Sequence, residues 1–532
     1  MSTILFADKV HLNEKNFESF LATLKEKKLT IESPDFPKSW ITCFGDYAEA
    51  PDGLAVKLVP FIDEAQQMLT SAVASYQYLE VDVFTVCRAE ILTLALAQPY
   101  WAERVLPTGE QTLLQALWDW APDVVTKNFA VAMYWIVFWR KTVKATARLT
   151  HVAVFSGSLI YARALLEVMK GKPGKVFVLE SLFTGNDYYC EERYLPISNH
   201  SDIMLPTVFQ SVALPEEQHL YERERNKALN KILSMKNKNV VQPESVGGRF
   251  FEEGNPVVLV LGQVVNDFSV IEYKWLGLNT LPLYCRIIEN LLHNTESNVV
   301  FKAHPWENQK ANLNGPVTKM VLEARFADTI SKGRLKIVEN YNLYDLFAEA
   351  DYVVTINSQS GIEAAMHGFK PIQLGEAFWG RKGFSYDLDP CEGPKDLTSI
   401  ISCQSGRLSF DEYRHFEEYI TKLFQFWSVS VFQSGIGRLR QIFAEHQHLK
   451  LVSPGQTKAV QKTSVKPNAE TKQTQDNLLV GCQQVPSFLC VPTTVQTPGG
   501  SFSRKLRKLK RDPYAYFRDA GFTRIASLFK GK

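Results

Sequence analysis

No C-x-x-C pair occurs among the eight cysteines (Cys43, Cys87, Cys190, Cys285, Cys391, Cys403, Cys482 and Cys490), and none has a histidine at zinc spacing. This argues against a zinc module and fits reduced cytoplasmic thiols. Long apolar runs are also missing. The longest, Phe129 to Trp139, is closed by Arg140 and falls short of the roughly 20 residues that cross a bilayer, so it reads as a buried helix. The first residues, MSTILFADKVHLNEKNFESF, lack a positive segment, an apolar stretch and a small-residue cleavage site, which argues against secretion. No D-x-D metal motif stands at a suitable strand end, so no metal is expected.

What is present is a large core. The 532 residues are 45% hydrophobic and 12% aromatic, room for two or three domains. The formal charge of +2 hides an asymmetry: from Ser501 onward ten Lys/Arg face two Asp, leaving about −6 for the preceding residues. The basic character belongs to a tail.

Residues 1–150 read mostly as helices, TVCRAEILTLALA and EQTLLQALWDWA having apolar positions at helical spacing, and suggest little chemistry. At His151 the pattern becomes strand, small loop (Ser156-Gly157-Ser158), helix and a second buried strand, KVFVLE, which ends at Glu180. A charged helix covers Pro215 to about Lys238. From Pro256 five short apolar strands alternate with helices, the mark of a doubly wound parallel sheet, whose ligands bind beyond the carboxyl ends of the strands. The expected divisions are 1–240, a Rossmann-like domain with helical additions on the acceptor side; 254–400, a second Rossmann-like domain on the donor side; 401–450, helices packing back on the core; 453–500, a flexible linker rich in Gln, Thr, Pro and Lys; and 501–532, a basic amphipathic tail.

Four motifs fall at those strand ends. Asn357-Ser358-Gln359-Ser360-Gly361-Ile362-Glu363 puts small hydroxyl residues at a helix start, where backbone N–H groups can hold a phosphate. An ordinary serine cap would look the same. Lys302-Ala303-His304-Pro305 ends another strand with an imidazole that can donate to a phosphate oxygen, although a lone histidine is more often structural. Gly262-Gln263-Val264-Val265-Asn266-Asp267 follows the first strand of the second domain and offers Asp267 as nucleophile or base. Glu180 is a second carboxylate, and a pair of carboxylates is the usual equipment at an anomeric carbon. A capping or salt-bridged acid is the competing reading for each. Arg381 and Lys382, after Glu376-Ala-Phe-Trp-Gly380, are candidate partners for a sugar carboxylate; a solvated loop explains them equally well.

Taken together, LVLGQVVNDFS, VVFKAHP, INSQSGIEAAMHGFKPIQLGEAFWGRKGFSYD and RKLRKLKRDPYAYFRDA resemble the bacterial capsule polysaccharide synthesis family, and within it the retaining β-Kdo transferases, over roughly residues 150–400. The resemblance implies an α/β fold of GT-B type, two Rossmann-like domains facing a crevice. It also implies metal-independent transfer of Kdo from CMP-β-Kdo to a saccharide or lipid-linked acceptor. Asp267 matches the nucleophile that forms a Kdo-enzyme intermediate, and His304 the histidine near the CMP phosphate. Ser358, Ser360 and Glu363 match the nucleotide-holding motif, with Gln263, Lys302, Gly361, Arg381 and Lys382 around it. Glu180 occupies the place of the acid/base, but the chain has Glu-Ser-Leu-Phe where relatives tend to show Glu-Asp-Gly-Phe. The tail, with Arg504, Lys505, Arg507, Lys508, Lys510 and Arg511 before Tyr514, Tyr516, Phe517 and Phe522, is expected to lie on the inner face of the cytoplasmic membrane, with no nucleic-acid partner; a basic helix docked on another protein of the assembly complex or on the acidic remainder of the chain is the competing reading. Two rivals remain: a GT-B transferase with another donor, such as CMP-sialic acid or a UDP-hexose, and a non-catalytic scaffold of an assembly complex.

Overall fold

A computed structural model describes residues 2–444 except 49, 52, 72–75, 198–199, 235–241, 276, 311–312 and 314. The expected linker and basic tail lie outside the described residues.

Two six-stranded sheets organise this part of the chain. The first contains β1 (Thr3–Phe6), β2 (Thr30–Glu32), β3 (Leu149–Phe155), β4 (Lys175–Ser181) and β5 (Asp187–Glu192). The second contains β6 (Val257–Leu261), β7 (Asn298–Lys302), β8 (Leu335–Val338), β9 (Tyr352–Thr355), β10 (Ile372–Gln373) and β11 (Tyr386–Asp387), after which β12 (Ser428–Ser430) returns to the first.

The second sheet runs β8-β7-β6-β9-β10-β11 and is parallel throughout. Its central strand, Val257–Leu261, is buried along its whole length, as a strand covered on both faces must be. The order 3-2-1-4-5-6 is that of a dinucleotide-binding fold, and the chain reverses direction across the sheet between β6 and β9. A crevice opens at that switch point, beyond the strand ends.

The first sheet runs β12-β5-β4-β3-β1-β2. Strands β2, β1, β3 and β4 are parallel, while β5 and β12 add antiparallel edges. Its switch point lies between β1 and β3. The sequence pattern had given the first 150 residues to helices, and most of them are: α1 (Glu14–Glu26), α2 (Val83–Ala95) and α3 (Pro122–Ala145), with Phe129 and Trp139 fully buried in α3 as expected. The correction is β1, four buried residues too short for a periodic signal to reveal. It stands beside β3 near the middle of the sheet. The segment expected as helices over 401–450 contains, among its described residues, the helices Phe410–Lys422 and Ile436–Ala444 with β12 between them.

Helix α2 and its following loop hold the segment after β6 through two backbone carbonyls and one side chain. Asn266 donates to the carbonyl of Thr93 at 2.9 Å, Arg88 pairs with Glu272 at 3.0 Å with both side chains buried, and Asn279 donates to the carbonyl of Arg104 at 2.7 Å. A buried charged pair gives little net stability but is costly to break, so this contact fixes where the segment sits. Among the described residues no helix is long and apolar enough to cross a membrane.

Candidate functional site

A cavity of about 540 Å³ opens where the strand ends of the two sheets meet. Asp267, His304, Ser358 and Ser360 line it from the second sheet, and Glu180 and Ser156 from the first. Residues separated by as much as 200 positions in sequence are thus brought to one space.

At the end of β6, Gly262 passes so close to β7 that a Cβ would stand 2.7 Å from the Lys302 carbonyl oxygen, so no larger residue fits. Gln263 donates to the Ser269 hydroxyl at 2.8 Å and to the Asn357 amide oxygen, while Asn357 donates to the Ser269 carbonyl at 3.1 Å. This knot joins the ends of β6 and β9 across the switch point. Gln263 therefore acts first as a strut. Val265 is held by its N–H donating to Glu307 at 2.7 Å, and Glu307 is anchored in turn by the N–H and hydroxyl of Thr318.

Asp267 follows, capping the short turn Phe268–Ile271. One carboxylate oxygen accepts the Ser269 N–H at 2.8 Å, and the other has no hydrogen-bond partner among the described residues. A carboxylate fixed by one oxygen and open at the other suits a nucleophile or a base. Beside it Lys310 donates to Asn266 at 2.6 and 3.1 Å. Burial pushes the Lys310 ammonium down, against the opposing charge of Asp267. Sequence reasoning missed Lys310; its one signal is a lysine shortly after the His-Pro strand end.

The His304 ring accepts the Trp306 N–H at Nδ1, 3.2 Å away, which leaves Nε2 to carry the proton of the neutral ring. Burial pushes the imidazole down to about 4, with Asp267 opposing and Lys302 and Lys310 adding to the fall. His304 is therefore a neutral N–H donor at physiological pH.

The serine turn differs from the expected cap. Gln359 holds the N-cap position of α4 (Ser360–Met366) and makes no side-chain cap bond; Ser358 instead accepts the Ser360 N–H at 3.3 Å. The Trp379 indole braces the turn by donating to the Ser358 carbonyl at 3.0 Å. Its ring lies where a Cβ on Gly361 would be, 2.2 Å away, so the Ser-Gly and Phe-Trp-Gly motifs are two halves of one contact. Glu363 stands behind the turn: burial raises its carboxyl, opposed by the Ser360 hydroxyl and Lys302.

On the first sheet, Ser156 and Gly157 turn sharply with φ of 58° and 90°. Glu180 accepts the Ser181 N–H at 2.8 Å and a hydrogen bond from the Ser156 hydroxyl. Burial pushes its carboxyl up to about 7; Ser156, Ser181 and the charge of His11 oppose this, and Asp267 adds to it. A carboxyl so placed can give or take a proton near neutral pH.

Several expected residues stand elsewhere. Arg381 donates to Glu376 at 3.2 Å and does not line the cavity. Lys382 is buried, donating to the carbonyls of Met204 at 3.2 Å and Gly380 at 3.0 Å, with burial pushing it down to about 8. It ties the second domain to the chain near Met204. Neither residue is brought to the cavity: Lys382 is a buried tie, and Arg381 lies largely exposed, as the solvated-loop reading has it. Lys302, which donates to the Glu339 carbonyl at 3.3 Å, together with Gly361 and Glu363, supports the wall from behind. A D-x-D triplet, Asp387-Leu388-Asp389, does begin on β11, contrary to expectation, but away from the cavity. Its carboxylates are occupied by Gln373 at 2.9 Å and by the Cys391 N–H at 2.8 Å.

Residues 205–395 match the family model described as capsule polysaccharide biosynthesis protein. No curated protein matches the chain. Among solved structures it is similar to Thermosulfurimonas dismutans KpsC, beta Kdo 2,4 transferase, at 19% identity over 52% of this chain and 80% of that one, with a TM-score of 0.37. It is also similar to the beta Kdo 2,7 transferase of the same KpsC, at 16% identity over 57% and 89%, with a TM-score of 0.33. For a UDP complex of S. aureus MnaA the figures are 8% identity, 83% and 95% coverage, and a TM-score of 0.28. The likeness to the capsule polysaccharide biosynthesis family is carried by that matched segment, residues 205–395.

Proposed function

We propose that the protein is a glycosyltransferase that moves Kdo from CMP-β-Kdo to a saccharide acceptor with retention, in capsule or lipopolysaccharide assembly. The observation that carries this reading is the facing of two unlike carboxylates, Asp267 and Glu180, across one cavity whose Asp267 side also holds a neutral histidine N–H and a lysine.

In the first step an Asp267 oxygen forms a bond to the anomeric carbon of Kdo as the bond to the phosphate oxygen breaks, and that electron pair leaves with CMP. His304 and the serine turn donate to the phosphate, and Lys310 offers a positive charge to the phosphate or the Kdo carboxylate. In the second step the acceptor oxygen bonds to the anomeric carbon, the bond to Asp267 breaks with its electrons returning to the carboxylate, and the hydroxyl proton passes to Glu180. Two displacements give retention. CMP is a good leaving group, so the proposed reaction needs no metal. The basic tail would hold the enzyme at the inner membrane face, near lipid-linked acceptors.

Heat unfolding with CMP or UDP, followed by intact-mass measurement after incubation with CMP-Kdo, tests the reading. Protection by CMP alone and a mass increase of one Kdo, absent in Asp267→Asn, is expected. Protection by UDP alone points to a UDP-hexose donor, and protection by neither, without turnover, to a scaffold.

A further inference from the structure

One large aromatic side chain stands open at the cavity, and the proposed chemistry leaves it unused. Trp306 lines the cavity and is 37% exposed, whereas Trp101, Trp135, Trp139 and Trp379 are at most 2% exposed. The chain around it is fixed on both sides. Pro305 restricts the backbone before it, and the Trp306 N–H donates to His304 Nδ1 at 3.2 Å. Its carbonyl accepts the N–H groups of Gln309 at 3.1 Å and Lys310 at 3.0 Å. The next residue, Glu307, is buried and held by the Val265 N–H and by the N–H and hydroxyl of Thr318.

A single exposed aromatic residue is ordinary on a protein surface. This one is carried by a rigid turn whose other two cavity residues are His304 and Lys310, the N–H donor and the cation that the proposed reaction gives to the phosphate. A nucleotide whose phosphate meets those two groups therefore has the indole on the same wall. Beside its phosphate such a ligand carries a flat, uncharged base, and an indole stacks on any base because every base has a π-face. The groups given to the acceptor, Glu180 and Ser156, line the cavity from the other sheet, so the indole belongs with the nucleotide rather than with the acceptor sugar.

We propose that Trp306 is the platform on which the base of the nucleotide sugar stacks. This rests on the reading of the cavity as a nucleotide-sugar site and adds the residue that holds the base. A stacking face does not distinguish one pyrimidine from another, so the assignment is independent of whether the base is cytosine or uracil.

The test titrates CMP into the full chain as wild type, Trp306→Ala and Trp306→Phe, read by calorimetry and by indole fluorescence. Trp306→Ala should weaken CMP binding about ten-fold or more, and Trp306→Phe, which keeps an aromatic face, should recover most of that loss. The quench of indole fluorescence by saturating CMP in the wild type should be largely absent from both variants. Unchanged affinity in Trp306→Ala, or a quench of wild-type size in Trp306→Phe, would overturn the assignment. So would Trp306→Phe binding as weakly as Trp306→Ala, which would make the indole a structural support of the turn. If UDP rather than CMP protects the wild type, the Kdo reading fails on its own, and the same titrations with UMP decide Trp306 separately. A wild type that binds neither nucleotide would end both readings.

Discussion

The two switch points face one cavity with opposite equipment. At the second sheet the groups are donors and a cation, the Nε2–H of His304, the serine turn and Lys310, around a single open carboxylate. At the first, Glu180 presents a carboxyl held by the Ser156 hydroxyl of a sharp backbone turn. On the proposed reading, an anionic nucleotide sugar and a neutral glycan would be sorted to opposite walls by charge, before any shape is read. Both walls lie at strand ends, and the side chains there give each its character.

The sharpest way to break this comparison is Asp267→Asn. The amide oxygen can still accept the Ser269 N–H, so the turn survives, while turnover should fall on the order of a thousand-fold or more, measured as CMP release. A variant keeping a tenth of normal activity would remove Asp267 from the nucleophile's role.

Next in size is Glu180→Gln, expected to cost about a hundred-fold in turnover at neutral pH. Its carboxyl is raised to about 7, so if it is the base of the proposed reaction, wild-type turnover should climb as pH rises through about 7 and fall as the group takes up its proton below that. The variant should lose this limb of the pH–rate profile. A limb that persists assigns the titration to another group.

Smaller effects sharpen the donor wall. His304→Ala and Ser360→Ala should each weaken CMP binding by about 1–3 kcal/mol, read by calorimetry, because each removes a hydrogen bond to a charged phosphate. Equal affinity in both would move the nucleotide elsewhere. The smallest effect on catalysis is expected from deleting residues 501–532. Turnover on a soluble acceptor should be spared, whereas flotation with anionic liposomes should be lost, and in the intact chain flotation should weaken with salt. Flotation that is equal without the tail would end the membrane reading.

The second sheet was legible because its strands, such as VVLVL, are continuous apolar runs set between helices of ordinary length. The first was legible only from His151, because Thr3–Phe6 and Ser428–Ser430 are too short to show a period and gain their strand character from neighbours distant in sequence. Among site residues, Asp267, His304 and the serine turn were visible at strand ends in the order the fold requires. Arg381 and Lys382 misled because charge beside a motif says nothing of direction, and Lys382 turns to the Met204 carbonyl. Lys310 carries no local pattern, and its placement depends on a contact with Asn266, distant in sequence.

Strand β12 has a consequence for how the protein is made. It pairs with β5 through Ser428↔Tyr189 and Ser430↔Asp187, so the first sheet waits for an edge synthesised after the whole second sheet. At roughly 5–20 residues per second, a ribosome needs about 12–47 s to travel from Glu192 to Ser428. For that time β5 presents unpaired backbone to the cell, a template for other strands. A chain cut near residue 400 would keep the matched family segment yet carry that open edge permanently, and aggregation rather than inactivity is what such a fragment should show first.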